Sequence, residues 1–380
     1  MKRKKNITSA GPSITVKEIE IVNEAIRDGW QNNMNFYVDE LTKEFSSYVG
    51  TKYCLPTSHC TAAIHLALLA LNIKSGDEVI VPDLTWVASA SPITYVGATP
   101  VFADVDPISL CLSAESLEKN ITDKTKAIIV VDLLGNMPEW DDILYIAKKY
   151  DLVVIEDAAE GIGASYKKQL AGTFGDISLF SFNATKMIMS GQGGAFCTNN
   201  EDLFLKAKLF SHHGIEKELT GKYYWSNVIG YNYNWTNIQA ALALAQLRRI
   251  DELINYKIWL NKEYAKGLSD IDGVNLIESK DNVNPTFWIS TAIIDPKLGY
   301  DKEALCEKFL SFNIDMRPLF YPISSMPPYK KYCKNQNMEL LNPISYNMSK
   351  SGLCLPNGNN LNIEDILYIC DSIKKVLNNS

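Results

Sequence analysis

The chain has 380 residues, enough for a large core and for two domains, or one large domain with an appendage. With 46% hydrophobic and 21% charged residues it has the composition of an ordinary soluble globular protein, and no run approaches the ~20 apolar residues a membrane helix needs. A net charge of -7 argues against a general nucleic-acid binder, because phosphate backbones are gripped by basic surfaces.

The basic run Lys2-Arg3-Lys4-Lys5 reads as a frayed, solvated start, with no apolar stretch after it to make a signal peptide. Ile19, Val22 and Ile26 then recur at helical spacing on one face, and Gly29 is the expected stop. Val38, Leu41, Phe45 and Tyr48 repeat the pattern up to Gly50. From there short apolar runs alternate with helical stretches. Glu78 to Val81, Pro100 to Phe102, Ala127 to Val131, Leu152 to Ile155, Ile177 to Phe182 and Ala195 to Thr198 read as strands, and Trp140 to Lys149 as a helix. Strands apolar at successive positions are covered on both faces, so a mainly parallel sheet in an α/β domain is predicted. After about Arg249 the rhythm changes to long helical stretches and mixed strands such as Phe287 to Ile294. The expected division is a large domain, residues 1–250, and a smaller C-terminal α+β domain, residues 251–380.

Three elements carry chemistry. Asp157 ends the run Leu152-Val-Val-Ile-Glu-Asp, where a carboxylate faces a bound ligand or caps the next helix. Lys186 follows the apolar run Leu179-Phe-Ser-Phe and precedes Gly191-Gln-Gly-Gly, whose glycines let the backbone pass close to a ligand. A lone lysine there would simply reach solvent, and the glycine run changes that reading. It is not a dinucleotide fingerprint, because a strand follows it rather than a helix. Pro56-Thr-Ser-His-Cys-Thr opens a strongly helical stretch, Ala62 to Leu71, and free N–H groups at a helix start make either a phosphate site or an ordinary cap. Together these supply a phosphate cradle, an anion for a ring nitrogen and an amine for an aldehyde, which are the needs of pyridoxal phosphate. Eight cysteines without a CxxC pair fit reduced thiols and a cytoplasmic setting. His65 reads as a half-buried structural histidine, and His212-His213 lacks further ligands, so no metal site is expected.

Several runs in the same order resemble the DegT/DnrJ/StrS family of sugar aminotransferases. They are Gly76-Asp-Glu-Val-Ile-Val-Pro, Val96-Gly-Ala-Thr-Pro-Val-Phe-Ala-Asp-Val-Asp, Ile155-Glu-Asp-Ala-Ala-Glu, Phe174-Gly-Asp, Ser181-Phe-Asn-Ala-Thr-Lys and Gly191-Gln-Gly-Gly. The resemblance extends from about Ile7 to the last helix. It implies the aspartate-aminotransferase-like fold of pyridoxal-phosphate enzymes (fold type I), with Lys186 as the Schiff-base lysine and Asp157 as partner of the pyridine nitrogen. It further implies Cys60, Thr61 and Ser181 at the phosphate, Trp86 stacked on the ring and Glu160 near the cofactor hydroxyl. Asn232, in Gly230-Tyr-Asn-Tyr-Asn-Trp-Thr-Asn, matches an asparagine that completes the phosphate site of the neighbouring subunit, so a homodimer with shared active sites is expected.

The chain departs from the family pattern at His59-Cys60, usually Asn-Gly or Ser-Gly; at Gln192, where Glu is common; at Asn234, often Arg; and at Asp132, frequently His. Gly221-Lys-Tyr-Tyr-Trp, Tyr231-Asn-Tyr and Met316-Arg-Pro-Leu-Phe-Tyr-Pro look most like the perosamine-synthase branch, which converts a GDP-linked 4-keto-6-deoxymannose to its 4-amino sugar. Arg317 and Tyr321 are the candidate substrate contacts. The resemblance thus implies amino transfer from L-glutamate to a nucleotide-linked keto sugar, with UDP- or dTDP-linked 3- or 4-keto sugars as the alternative substrates. Related sugar dehydratases carry His at the lysine position, and a non-catalytic regulator would have no need of an intact Asp157 and Lys186.

Overall fold

A computed structural model describes residues 6–216 and 224–378. The basic run at the N-terminus and Gly221 to Tyr223 of the branch-specific motif lie outside the described residues.

The large sheet has seven strands: β1 (Tyr53–Thr57), β2 (Glu78–Pro82), β3 (Thr99–Ala103), β4 (Thr125–Val131), β5 (Val153–Asp157), β8 (Ile177–Ser181) and β9 (Gly194–Thr198). Between them in the chain, β6 (Ser165–Tyr166) and β7 (Gln169–Leu170) form a hairpin that pairs with β11 (Val283–Asn284). The order across the large sheet is β1-β9-β8-β5-β4-β2-β3. β3, β2, β4, β5 and β8 are mutually parallel, and β9 runs antiparallel to both its neighbours. The mainly parallel sheet predicted from the sequence is present.

Alternation along each strand feeds two cores. In β4, Ile128 and Val130 face a layer that includes Leu41, Phe45 and Trp140, from the helices α2 (Phe36–Val49) and α4 (Trp140–Lys149). Ala127, Ile129 and Val131 face the other layer, where Ile64, Leu66 and Leu68 come from α3 (Cys60–Ala70). Both sides are dry, and each buried aliphatic side chain adds roughly 1.5–3 kcal/mol of transfer free energy. Because β5 and β8 run parallel, their C-terminal ends, Asp157 and Ser181, emerge on the same edge of the sheet.

A third core gathers residues of the C-terminal part, and Ile7 joins it by bridging Ile314. Its sheet runs β10 (Val274–Leu276), β12 (Thr291–Ile294), β14 (Gly352–Cys354), β13 (Arg317–Pro318). Among the described residues no helix is long and apolar enough to cross a membrane.

Two readings of the sequence are corrected. The helix α1 (Val16–Asp28) forms, but of its predicted apolar face only Val22 packs against the core. Ile19 and Ile26 are exposed, whereas Glu18 and Ala25 are buried. Glu18 is drawn inward by Arg249 and Gln246, which lie more than 200 residues away in sequence. Burial opposes its charge, but Thr15 and Arg249 hold its carboxyl down at about 2. The expected strand Phe287 to Ile294 begins only at Thr291, because Phe287 adopts a left-handed backbone (φ 50°) that no strand accommodates.

Candidate active site

The edge of the sheet where β5 and β8 end opens into a cavity of about 510 Å³. Of the residues singled out in the sequence, Cys60, Thr61, Trp86, Asp157, Glu160, Ser181 and Lys186 all line it. Their positions follow from the fold. β5 delivers Asp157, the turn after it delivers Glu160, β8 delivers Ser181, and the loop to β9 carries Lys186.

Asp157 is buried (3% exposed). Its Oδ2 accepts from the Ser89 hydroxyl at 2.8 Å and its Oδ1 from the Ala159 N–H at 3.2 Å. Burial pushes the carboxyl up. The Ser89 and Ala159 hydrogen bonds pull it down, Glu160 raises it, and the nearby Lys186 charge lowers it. A buried carboxylate so held is matched to a cationic partner such as a protonated ring nitrogen.

The Lys186 Nζ donates to Glu160 Oε1 at 3.0 Å, with only 12% and 4% of the two side chains exposed. Glu160 Oε2 takes the Leu134 N–H at 2.9 Å, which fixes the carboxylate from behind. On its other side the Lys186 amine lies 3.6 Å from the ring centroid of Trp288.

The start of α3 forms one end of the cavity. His59, at the N-cap, makes no side-chain hydrogen bond to the helix, which leaves the first N–H groups facing the cavity. β9 backs this turn closely: a Cβ on Gly194 would stand 2.5 Å from the Cys60 nitrogen, so only glycine fits there. The Cys60 sulfur turns to Asp157 Oδ1, 3.9 Å away, and burial holds the thiol well above its usual range. The Cys60 side chain thus stays a neutral thiol, and an anion at this turn would meet its backbone N–H. Ser181 completes the rim, buried at the end of β8, its hydroxyl oxygen taking the Asn183 N–H at 3.4 Å. A helix-start anion site, a buried carboxylate and a half-enclosed amine around one cavity fit pyridoxal phosphate in charge at each of its three ends.

Trp86 is 58% exposed and tilts 54° to Phe320 across 5.8 Å, forming the outer wall. Beyond it a second cavity of about 490 Å³ shares Thr85, Trp86, Thr185, Trp288 and Phe320 with the first, and both Arg317 and Tyr321 line it. Asn232 does not line either cavity. It bridges His212 and takes the Asn234 amide at 3.3 Å.

The profile of the DegT/DnrJ/EryC1/StrS aminotransferase family matches residues 12–374. The chain belongs to this family. A GDP-perosamine synthase of Escherichia coli O157:H7 is 40% identical over 365 residues, covering 96% of each chain. A second GDP-perosamine synthase, from Caulobacter vibrioides, is 36% identical over 98% of each. Among solved structures, the putative sugar aminotransferase Spr1654 of Streptococcus pneumoniae in its PLP form superposes with a TM-score of 0.90, at 27% identity over 99% of both chains.

Three residues that hold side chains of the site escaped the sequence reading. Ser89 holds Asp157, and its signal was weak: a hydroxyl three residues after Trp86. Leu134 holds Glu160 through a backbone N–H, which no side-chain pattern announces. Trp288 sits 102 residues beyond Lys186 in a stretch read as strand, and nothing local marks it.

Proposed function

We propose that this aminotransferase moves an amino group from L-glutamate to the C4 ketone of GDP-4-keto-6-deoxymannose, with pyridoxal phosphate as its resident cofactor. The observation that carries the reading is the convergence of the Lys186 amine, the Asp157 carboxylate and the α3 N-terminus on one cavity. The nucleotide and sugar are proposed because the two GDP-perosamine synthases match over nearly the full chain.

When bound, pyridoxal phosphate supplies a carbonyl carbon that exchanges amines and a ring that accepts the electron pair of a bond broken at the substrate carbon. Asp157, held by Ser89, would keep the ring nitrogen protonated. The N–H groups of Cys60 and Thr61 with the Ser181 hydroxyl would take the phosphate, and the Trp86 ring would cover the open face. Lys186 binds the cofactor and, once its amine is free, carries a proton to and from the substrate carbon. Glu160 orients that amine at 3.0 Å. The second cavity, with Arg317 and Tyr321, would take the sugar nucleotide.

We also propose a homodimer in which Asn232 serves the partner's phosphate site. Asn232 lies outside this chain's own cavity, and Ile19, Ile26, Trp30 and Phe36 leave an apolar surface exposed near the chain's start, of the kind a second copy covers.

Incubation of purified, cofactor-loaded protein with glutamate and GDP-4-keto-6-deoxymannose tests the proposal by mass spectrometry. Conversion of the ketone to an amine, with one 2-oxoglutarate per turnover, is expected. Amination of a UDP- or dTDP-linked keto sugar in its place would overturn the substrate assignment, and absence of any 2-oxoglutarate would overturn the donor.

A further inference from the structure

We propose that Trp288 is a positioning residue for Lys186, its indole face holding the lysine's ammonium beside Glu160 and aiming it into the cavity. The proposal rests on Lys186 being the reactive amine. The Nζ stands 3.6 Å from the ring centroid, well inside the range over which an indole face attracts a cation, and the pair is shielded from water, with Trp288 only 5% exposed.

The indole is fixed from several sides. Its Nε1–H donates to the Thr185 carbonyl at 2.8 Å, so the ring grips the backbone just before Lys186 as well as the tip of the lysine side chain. The Trp288 carbonyl accepts from Asn357 Nδ2, and the Asn357 carbonyl accepts in turn from the buried Lys257 amine. The turn that delivers the ring is strained: Phe287, a bulky residue, is left-handed at φ 50°. Gly135 packs against that turn so closely that a Cβ would meet the Trp288 nitrogen at 2.7 Å. Strain at Phe287, an opposing glycine and a buried amide together over-determine where one indole lies.

The chemistry explains the choice of an aromatic. The titratable groups around Nζ are Glu160, in contact, and Asp157 and Cys60, close enough to feel its charge. A second carboxylate in place of the ring would lock the amine as a cation, and its own charge would be stranded when the amine lost its proton. A π face attracts the ammonium yet carries no net charge, so the amine can alternate between its two forms while its aim is kept.

The test uses the cofactor-free protein. The rate of Lys186 acylation by acetic anhydride at one fixed pH is followed by peptide mass spectrometry in the native protein, Trp288→Phe and Trp288→Leu. Relative to the exposed Lys266, Lys186 is expected to react about two- to fivefold faster in Trp288→Leu, where the indole no longer holds its amine, and to gain less in Trp288→Phe. An unchanged ratio of the two lysines in Trp288→Leu would overturn the proposal. Should that variant not fold, replacing tryptophan with a trifluorinated analogue keeps the ring's shape while draining its face of charge. The ratio should then rise likewise, and an unmoved one overturns the proposal equally. Borohydride reduction of the loaded protein identifies the lysine that binds the cofactor. Label on another lysine would sink the reading of Lys186 and leave the measured role of the indole standing.

Discussion

Ser89 donates its hydroxyl to Asp157 Oδ2 across 2.8 Å, with both residues buried, so the carboxylate beneath the cavity has a fixed orientation before any ligand arrives. A hydrogen bond to a buried charged group contributes about 1.5–3 kcal/mol. Ser89→Ala is therefore expected to weaken pyridoxal-phosphate binding by about 10- to 100-fold in equilibrium dialysis, without abolishing it. Native affinity in this variant would show that Asp157 needs no such support.

Lys186→Ala should remove the long-wavelength absorbance of the loaded protein and lower the rate of transamination by about 10²–10⁴-fold or more, the usual share of a proton-transferring group. Glu160→Gln keeps a hydrogen-bond acceptor for Nζ but loses its charge. It is expected to retain the absorbance while its pH–rate profile moves. Transamination at the native rate by Lys186→Ala would remove the basis of the proposed chemistry.

The parts of the molecule legible in the sequence are those decided locally. Ile128, Ile129 and Val130 are apolar in succession because β4 is buried on both faces, and the same logic located β2, β3, β5, β8 and β9. Asp157 stood out because it ends such a strand, and Lys186 because it follows one. What stayed hidden depends on distant partners. Glu18 is buried because Arg249 meets it, and the apolar spacing of Ile19 and Ile26 pointed to the wrong face of α1. Trp288 reaches Lys186 through a left-handed Phe287 and a glycine, Gly135, some 150 residues earlier, and a period-two pattern cannot announce such a turn.

Asp132 gives a prediction of pH-dependent stability. It is fully buried, neither of its carboxylate oxygens has a donor from the described residues, and it faces Glu156. Burial pushes both carboxyls up. Glu156 carries the charge, because the N–H groups of Gly172, Phe174 and Gly175 point at it, and Asp132 keeps the proton it shares with Glu156. The folded chain thus holds a proton the unfolded chain releases in the ordinary carboxylate range. Its stabilisation is complete below that range and is lost as pH rises toward the raised folded value. Asp132→Asn, neutral at every pH, should gain about 2 °C or more in Tm on the native protein between pH 5 and pH 9. Equal differences at both pH values would show that Asp132 is not the proton carrier.

Arg317 lines the outer cavity with its side chain largely exposed and its Nη2 3.0 Å from Asp315. A guanidinium so placed is free to meet a diphosphate. Arg317→Ala is expected to raise KM for the sugar nucleotide about tenfold, leaving kcat within about twofold and the glutamate half-reaction unchanged in stopped-flow absorbance. An equal effect on both half-reactions would place Arg317 at the cofactor or the donor, away from the nucleotide.

A site shared between subunits would leave a quantitative signature. If Asn232 completes the partner's phosphate site, Lys186→Ala and Asn232→Ala each inactivate or weaken a different half of a composite site. In a mixed dimer one site lacks both residues, and the other pairs an intact Lys186 with an intact Asn232. Random re-association of equal amounts makes half of the dimers mixed, so activity should return to about a quarter of the native value although each parent is impaired. Recovery no greater than the average of the two parents, in a sample shown to be dimeric by sedimentation, would mean that each chain builds its site alone.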